Sequence, residues 1–439
     1  MSTTFFSKLG LDQSGHPTDP QWLAELRSEA VSRLLDEGLP TSKTEAWRFT
    51  GLRSLLNVPF SVTKKSTAAQ EQDSLQWARE YLGTGAETAR VYLVNGRPVA
   101  QSEALSDYEI SNLSQLLSDK PETIEPYLAR YAHSEYFGAL NSALFSDGLC
   151  VRVPANSRPS KALEIVHISD PTGDAPTSCY PRLVIVAGVA SECSVIETYL
   201  SRPGADELCT AVTEVSLEDG AILDHLRVVE GSETSTHLGT VAVHQERDSR
   251  YTSRSVSIGG KLSRVEIDAR MSGPGAECNL DGVYHAVGNE HVAHHTLITH
   301  DDSNCSSNEE YRGLIDDRAH AVFDGIIVVK QGTKNTSAHQ QNHNLLLSDA
   351  ATINTKPHLE IDSDDLSASH GATIGSLDPA QLFFLRARGI GEDEARSILT
   401  LSFVRSILDR INDPATRTRL VAKVLGRLPY GEEMAELAL

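Results

Sequence analysis

Histidine is the residue type in this chain best able to bind a transition metal, and it clusters. The segment HAVGNEHVAHHTLITH holds His285, His291, His294, His295 and His300. Imidazole is a common ligand for iron and zinc. If the segment is a strand, His294 and His295 point to opposite faces and need a bulge to share one site. His339 and His343, in SAHQQNHN, fall on one face of an extended segment among Gln340, Gln341, Asn342 and Asn344. Amides stacked through successive strands usually satisfy one another by hydrogen bonding. A structural role is therefore expected for both groups, with a metal site as the alternative.

Six cysteines, Cys150, Cys179, Cys193, Cys209, Cys278 and Cys305, form no C-x-x-C pair, so zinc-ribbon and thioredoxin-like readings fail. They are read as free thiols that pack as small hydrophobes. Cys278 and Cys305 could hold sulfur or iron as thiolates, but no basic neighbour is apparent to lower their pKa. The acidic pairs Asp301-Asp302, Glu309-Glu310, Asp316-Asp317 and Asp364-Asp365 are read mostly as turn residues on a solvated face. A β-helical carbohydrate-cleaving enzyme would also use paired carboxylates, but it needs aromatic residues in its groove, and the central region is poor in Trp and Tyr. No phosphate-binding G-x-x-x-x-G-K-[ST] loop, G-x-S-x-G elbow, H-E-x-x-H or G-x-G-x-x-G motif occurs, so ATP hydrolysis by this chain alone is not expected.

The 439 residues carry 39 Lys and Arg against 60 Asp and Glu, a formal net charge of −21. An acidic chain repels phosphate backbones, so nucleic acid is not the expected partner. No apolar run is long enough for a membrane span and no secretory signal is visible. A cytoplasmic protein is expected.

Three regions must position these residues. Residues 1–150 read as mostly helical. Asp19-Pro20 should open a helix carrying Trp22, Leu23, Leu26, Ala30, Leu34 and Leu35, and Gly38 should end it. Residues 61–76 read as a polar surface connection, and RVYLVNGRPVA as a hairpin turning at Asn95-Gly96. Residues 151–375 change to short runs rich in Val, Ile and Thr, which read as strands. From Gly275 the turn residues Gly275, Gly288, Asp302, Asp317, Gly332, Asp349 and Asp364 recur at nearly even intervals. Even turns without intervening helices suggest a β-helix whose coils bury their apolar faces by stacking, with a β-sandwich as the alternative. Its edges would need covering, a task for the flanking helices. Residues 376–439 read as helices capped at Asp378-Pro379 and Asp413-Pro414.

Three motifs carry a resemblance. They are SASHGATIGSLDPAQLFFLRARGI (367–390), TSKTEAWRFTGL (41–52) and AVFDGIIVVKQGTKNTSAHQQNHNLLLSDAATINTKPHLEI (321–361). Together they resemble the SufB/SufD family of iron–sulfur cluster assembly scaffold proteins. The form Ser369-His370-Gly371-Ala372-Thr373 resembles its SufD branch. The resemblance implies a mainly β fold, a right-handed parallel β-helix between N-terminal and C-terminal helical regions. It implies a non-catalytic subunit of a complex with SufB and with SufC, the ATPase, and is compatible with a homodimer of this chain in isolation. Residues 379–439 are the implied SufC-docking unit, and the β-helix is implied to pair with SufB. His370 matches the histidine implied to help hold a transient iron–sulfur cluster at that interface. The sequence departs from the family at Ala368, where a cysteine often stands, so either SufB supplies the thiolate or this chain contributes less to the cluster site than its relatives do. A passive scaffold with no cluster contact is the alternative.

Overall fold

The computed structural model describes residues 2–83, 88–101, 105, 107–132, 136–170, 175–429 and 431. From Leu149 onward the chain coils. From Glu192 successive strands alternate strictly between two sheets, and each strand pairs in parallel with the next strand of its own sheet. In one sheet Ile222 pairs with Arg250, Arg250 with Glu277, Glu277 with Ser306 and Ser306 with Ser337. Two of the turn intervals seen in the sequence make one coil. The expected mainly β fold with a parallel β-helix and helical ends is what the chain adopts.

The register explains the interior. In-register parallel neighbours present side chains to the same face. Leu223, Tyr251, Cys278, Leu280, Tyr284, Tyr311 and Ala338 therefore form part of one continuous apolar core with Val265, Ile267, Ile298, Phe323 and Ile327 of the facing sheet. Many strands are also buried on their outer faces. Phe5, Phe6, Leu23, Leu34, Trp47 and Phe137 of the N-terminal region pack on Val184, Val186, Leu208, Leu238 and Leu262 of one sheet. Val404, Ile407, Leu408, Leu420 and Val424 of the C-terminal helices pack on Leu226, Val228, Val256, Ile258, Val283 and Leu314 of the other. Burial on both faces turns Arg182–Ala187 into a continuous buried run rather than an alternating one.

Capping at the C-terminal end follows the sequence. Asp378 accepts from Ala380 N at 2.8 Å, and Asp413 accepts from Thr416 N at 2.7 Å, so helices begin at Pro379 and Pro414. At the N-terminal end the expectation needs correction. Pro20, not Asp19, occupies the cap of helix Gln21–Glu37, and Asp19 is drawn instead to Arg27 at 3.0 Å. The segment expected to be a surface connection contains strand Ser61–Val62 and helix Ala68–Leu82, the latter opened by a Thr67–Gln70 capping box. The predicted hairpin forms as Thr88–Val94 and Arg97–Gln101, and its first strand extends a β-helix sheet by pairing with Ala162–Ser169.

The helices cover faces, not every edge. The N-terminal ends of the sheets finish in antiparallel strands Arg97–Gln101 and Glu109–Asn112. The other ends finish in Thr352–Ile361 and Leu366–Gly375, each the last strand of its sheet. Ile361 and Ile374 lie on these strands, 43% and 52% exposed.

Several histidines are buried deeply enough to be held neutral. Burial pushes His167 and His300 down to about 4, and His285, His291 and His294 down to about 3, with Arg427 adding to the effect on His285 and His320 to that on His291. The unfolded chain takes up these protons near pH 6.5 and the folded chain does not, so stability falls as pH drops below 6.5. Each tenfold loss of proton affinity on folding corresponds to about 1.4 kcal/mol. Urea unfolding midpoints are expected to be lower at pH 5 than at pH 7.5. The difference should shrink in His294→Phe, which keeps a ring between Tyr284 and Tyr311 but removes the proton site.

Candidate functional site

The histidine-rich strand His291–His300 does not converge on one site. His294 is buried inside the coil, its ring 5.4 Å from that of Tyr284 and 5.2 Å from that of Tyr311. His295 faces the other way, with Nδ1 at 3.4 Å from Asp324. His291 meets Thr50 Oγ1 at 3.1 Å and the His320 ring at 4.7 Å. His300 meets Ser307 Oγ at 2.8 Å, and His285 lies on the neighbouring strand beneath the C-terminal helices, its carbonyl accepting from Arg427 at 3.0 Å. Among the described residues, no three His, Cys, Asp or Glu side chains are grouped as a metal would need. Cys278 and Cys305 are buried, and burial raises both thiols. Neither is poised as a thiolate.

The alternation of SAHQQNHN separates its two kinds of residue. Ala338, Gln340, Asn342 and Asn344 are buried, while His339, Gln341 and His343 lie on the outer face. His339 Nδ1 meets Ser369 Oγ at 2.7 Å and His343 Nδ1 meets Thr373 Oγ1 at 2.8 Å. Ser369 and Thr373 therefore also face outward. The opposite face of Leu366–Gly375 holds Leu366, Ala368 and His370, of which Leu366 and Ala368 pack against the interior core. His370 pairs in register with Gln340. It thus sits on the interior side of the last coil and is nevertheless exposed, because no further coil covers it.

Behind His370 runs a polar line of in-register residues, Glu309, Gln340 and His370. Gln340 Nε2 donates to Glu309 Oε2 at 2.6 Å. The Glu309-Glu310 pair expected on a solvated turn is a correction. Both lie inside strand Ser306–Ile315, where Glu309 points into the coil and Glu310 out to Arg312 and Arg410. Because they face opposite ways, they cannot act as a catalytic pair. Alternation alone could have found Glu309, since it shares parity with Ser307 and Tyr311.

The motif 41–52 lies along the outer face of the other sheet and reaches its last strand. Trp47 is buried, with the Arg264 guanidinium 3.9 Å from its ring centroid, and Arg264 also donates to Glu266 at 2.6 Å. Lys356, on the last strand of that sheet, pairs with Glu45 at 2.7 Å. Glu45 thus braces the terminal coil from outside, while Trp47 packs on strand Leu262–Met271, three strands earlier in the same sheet.

Residues 379–429 form three helices, while residues 430 and 432–439 of the expected docking unit lie outside the described residues. Arg410 reaches Asp281 at 2.6 Å and Glu310 at 2.5 Å, and Arg427 reaches Glu290 at 2.5 Å. Helix Pro379–Arg386 buries no residue, and Phe383 is 73% exposed.

Burial pushes the Glu309 carboxyl up to about 7, against the Gln340 hydrogen bond and the nearby His295. A raised carboxyl favours the fold only while protonated, so its effect on stability becomes unfavourable as pH rises from the unfolded value near 4.5 through 7. Glu309→Gln is expected to remove a stability loss of roughly 3 kcal/mol over that window. Because this loss opposes the gain from the buried histidines, the variant should show a larger rise in urea midpoint between pH 5 and pH 7.5 than the wild type.

Comparison with known proteins gives a consistent result. The family described as "SUF system FeS cluster assembly, SufBD core domain" matches residues 168–403, and "SufBD protein N-terminal region" matches residues 15–165. The chain is 28% identical to the iron–sulfur cluster assembly protein SufD of Escherichia coli, over 91% of this chain and 92% of that protein. It is 29% identical to an iron–sulfur cluster assembly SufBD family protein of Synechocystis, over 92% and 90%. It is 23% identical to the iron–sulfur cluster assembly protein SufD of Bacillus subtilis, over 96% and 99%.

Proposed function

The chain belongs to the SufB/SufD family as a SufD-type member with a role in SUF iron–sulfur cluster assembly, and from that premise we propose that it is a non-catalytic, cytoplasmic scaffold subunit. In this reading it pairs with SufB through the uncovered end of its β-helix and contributes His370 to a transient cluster site there. SufC docks on the C-terminal helices and supplies ATP hydrolysis. Among the described residues, no helix is long and apolar enough to cross a membrane.

The observation that carries the reading is the position of His370, exposed on the interior side of a coil that has no neighbour. An unpaired strand edge is a template for another chain, and strands Thr352–Ile361 and Leu366–Gly375 offer two such edges side by side. A second SufD-type copy could occupy them when SufB is absent, which is how a homodimer would form. A neutral imidazole at that junction can complete an iron coordination sphere whose other ligands are thiolates. With Ala368 two residues before His370, the thiolate comes from SufB. Cluster iron and sulfide are cargo in this scheme, assembled at the interface and passed on.

The test is co-expression with SufB and SufC, followed by iron and sulfide quantification on the purified complex. His370→Ala is expected to leave the complex intact and lower its iron and sulfide several-fold. Unchanged loading would remove the ligand role and favour the passive scaffold, and failure of the wild-type chain to co-purify with either partner would sink the whole reading. Phe383→Asp, on the exposed face of helix Pro379–Arg386, is expected to release SufC while SufB is retained. Retention of SufC by this variant would move the docking site elsewhere.

A further inference from the structure

The buried line behind His370 has an unfinished hydrogen bond. Gln340 is buried, and its Nε2 is committed to Glu309 Oε2 at 2.6 Å. That commitment orients the amide, so Oε1 is the atom left over. Gln340 Oε1 is buried and has no hydrogen-bond partner. A buried amide oxygen left unpaired costs roughly 1–3 kcal/mol, so the site favours any donor able to reach it. Space for the amide is provided from the facing sheet by Gly325, where a Cβ would stand 2.3 Å from Gln340 Nε2.

The side chain next in register on the same face is His370. In-register neighbours on adjacent strands lie about 4.8 Å apart, within reach of a ring N–H turned towards an amide oxygen. His370 is exposed, and its ring is free to take the rotamer that makes this contact. A metal-binding histidine commonly donates its second ring N–H to an oxygen acceptor, which fixes the tautomer and the orientation of the ligating nitrogen.

We propose that Gln340, held by Glu309, is the positioning residue for His370: its Oε1 accepts one ring N–H and leaves the other ring nitrogen unprotonated and directed out of the open coil. The inference rests on the reading of His370 as a cluster ligand, and it adds the part of the site this chain builds before any partner arrives. It also gives Gly325 a role, because an added methyl group there would displace the amide.

The experiment uses the full chain without iron, labelled with nitrogen-15 histidine, at about pH 8, above the ordinary range of carboxylates and imidazoles. The His370 signals are identified by their loss in His370→Ala. The wild type is expected to show two well-separated ring nitrogens, one protonated and one not, as a single tautomer gives. In Gln340→Met they should move towards the averaged positions of mixed tautomers. Gly325→Ala, which keeps both side chains, should move them in the same direction. The signals of interior His294 and His300 report whether each variant is folded. Averaged nitrogens in the wild type, or no change in either folded variant, would overturn the proposal. Within the SufB-containing complex, Gln340→Met should weaken iron retention about 10-fold or more. Because the tautomer is read without iron, it judges the Gln340 contact alone. A normal cluster load in His370→Ala would instead remove the ligand role and leave that contact standing.

Discussion

Each coil of this protein buries its interior only because the next coil lies in register on top of it. Parallel pairing sets Glu309 beside Gln340 and Gln340 beside His370, and the same rule aligns Tyr251 with Cys278 two coils earlier. A residue's environment is therefore set by the coils on either side of its own more than by its neighbours in sequence. At the N-terminal end antiparallel strands close the stack. At the other end Leu366–Gly375 has a coil on one side only, and residues with the parity of a core become surface.

The interior is not uniformly apolar, and one of its polar groups is densely partnered. Glu197, fully buried, accepts from Tyr199 at 2.6 Å and Thr213 at 2.9 Å, pairs with His225 at 2.7 Å and lies 3.4 Å from Arg227. Burial alone would raise its carboxyl, but Arg227 and the His225 hydrogen bond outweigh that and hold it below the usual range. Removing one member of such a group leaves a buried charge uncompensated, which is more costly than the net worth of the intact pair. Glycines that face inward make room for these side chains. At Gly239 a Cβ would stand 2.3 Å from Arg227 Nη2, and at Gly282 it would stand 2.0 Å from the Tyr311 ring.

Much of this is legible in the sequence where one physical rule acts alone. The caps at Asp378 and Asp413, the even turns after Gly275 and the opposed faces of His294 and His295 all follow from local geometry. Upstream, the strands are readable but their period is not, because the coil interior buries one face of Arg182–Ala187 and the N-terminal region buries the other, which erases alternation. Asp19 is misread as a cap because its partner, Arg27, is a tertiary contact one side-chain length away. Glu309 is misread as a turn residue because adjacent acids look solvated in a bare sequence and are separated only by the pleat. His370 is legible through its motif, but its exposure on an interior face depends on where the stack stops.

The arginines of the C-terminal helices bear on how the protein is made. The coils are consecutive in sequence, so each can settle on its predecessor as the chain leaves the ribosome. Arg410 and Arg427, by contrast, emerge after all of the coils are complete, and they tie Asp281, Glu290 and Glu310 together from outside. The outer apolar face of that sheet, including Val228, Val256 and Val283, stays uncovered until those helices arrive. A chain that has released the coils but not yet the helices after residue 391 holds a finished stack with one bare flank. The interval between the last coil and the last helix is the stage of synthesis at which this protein most needs shielding from its own kind.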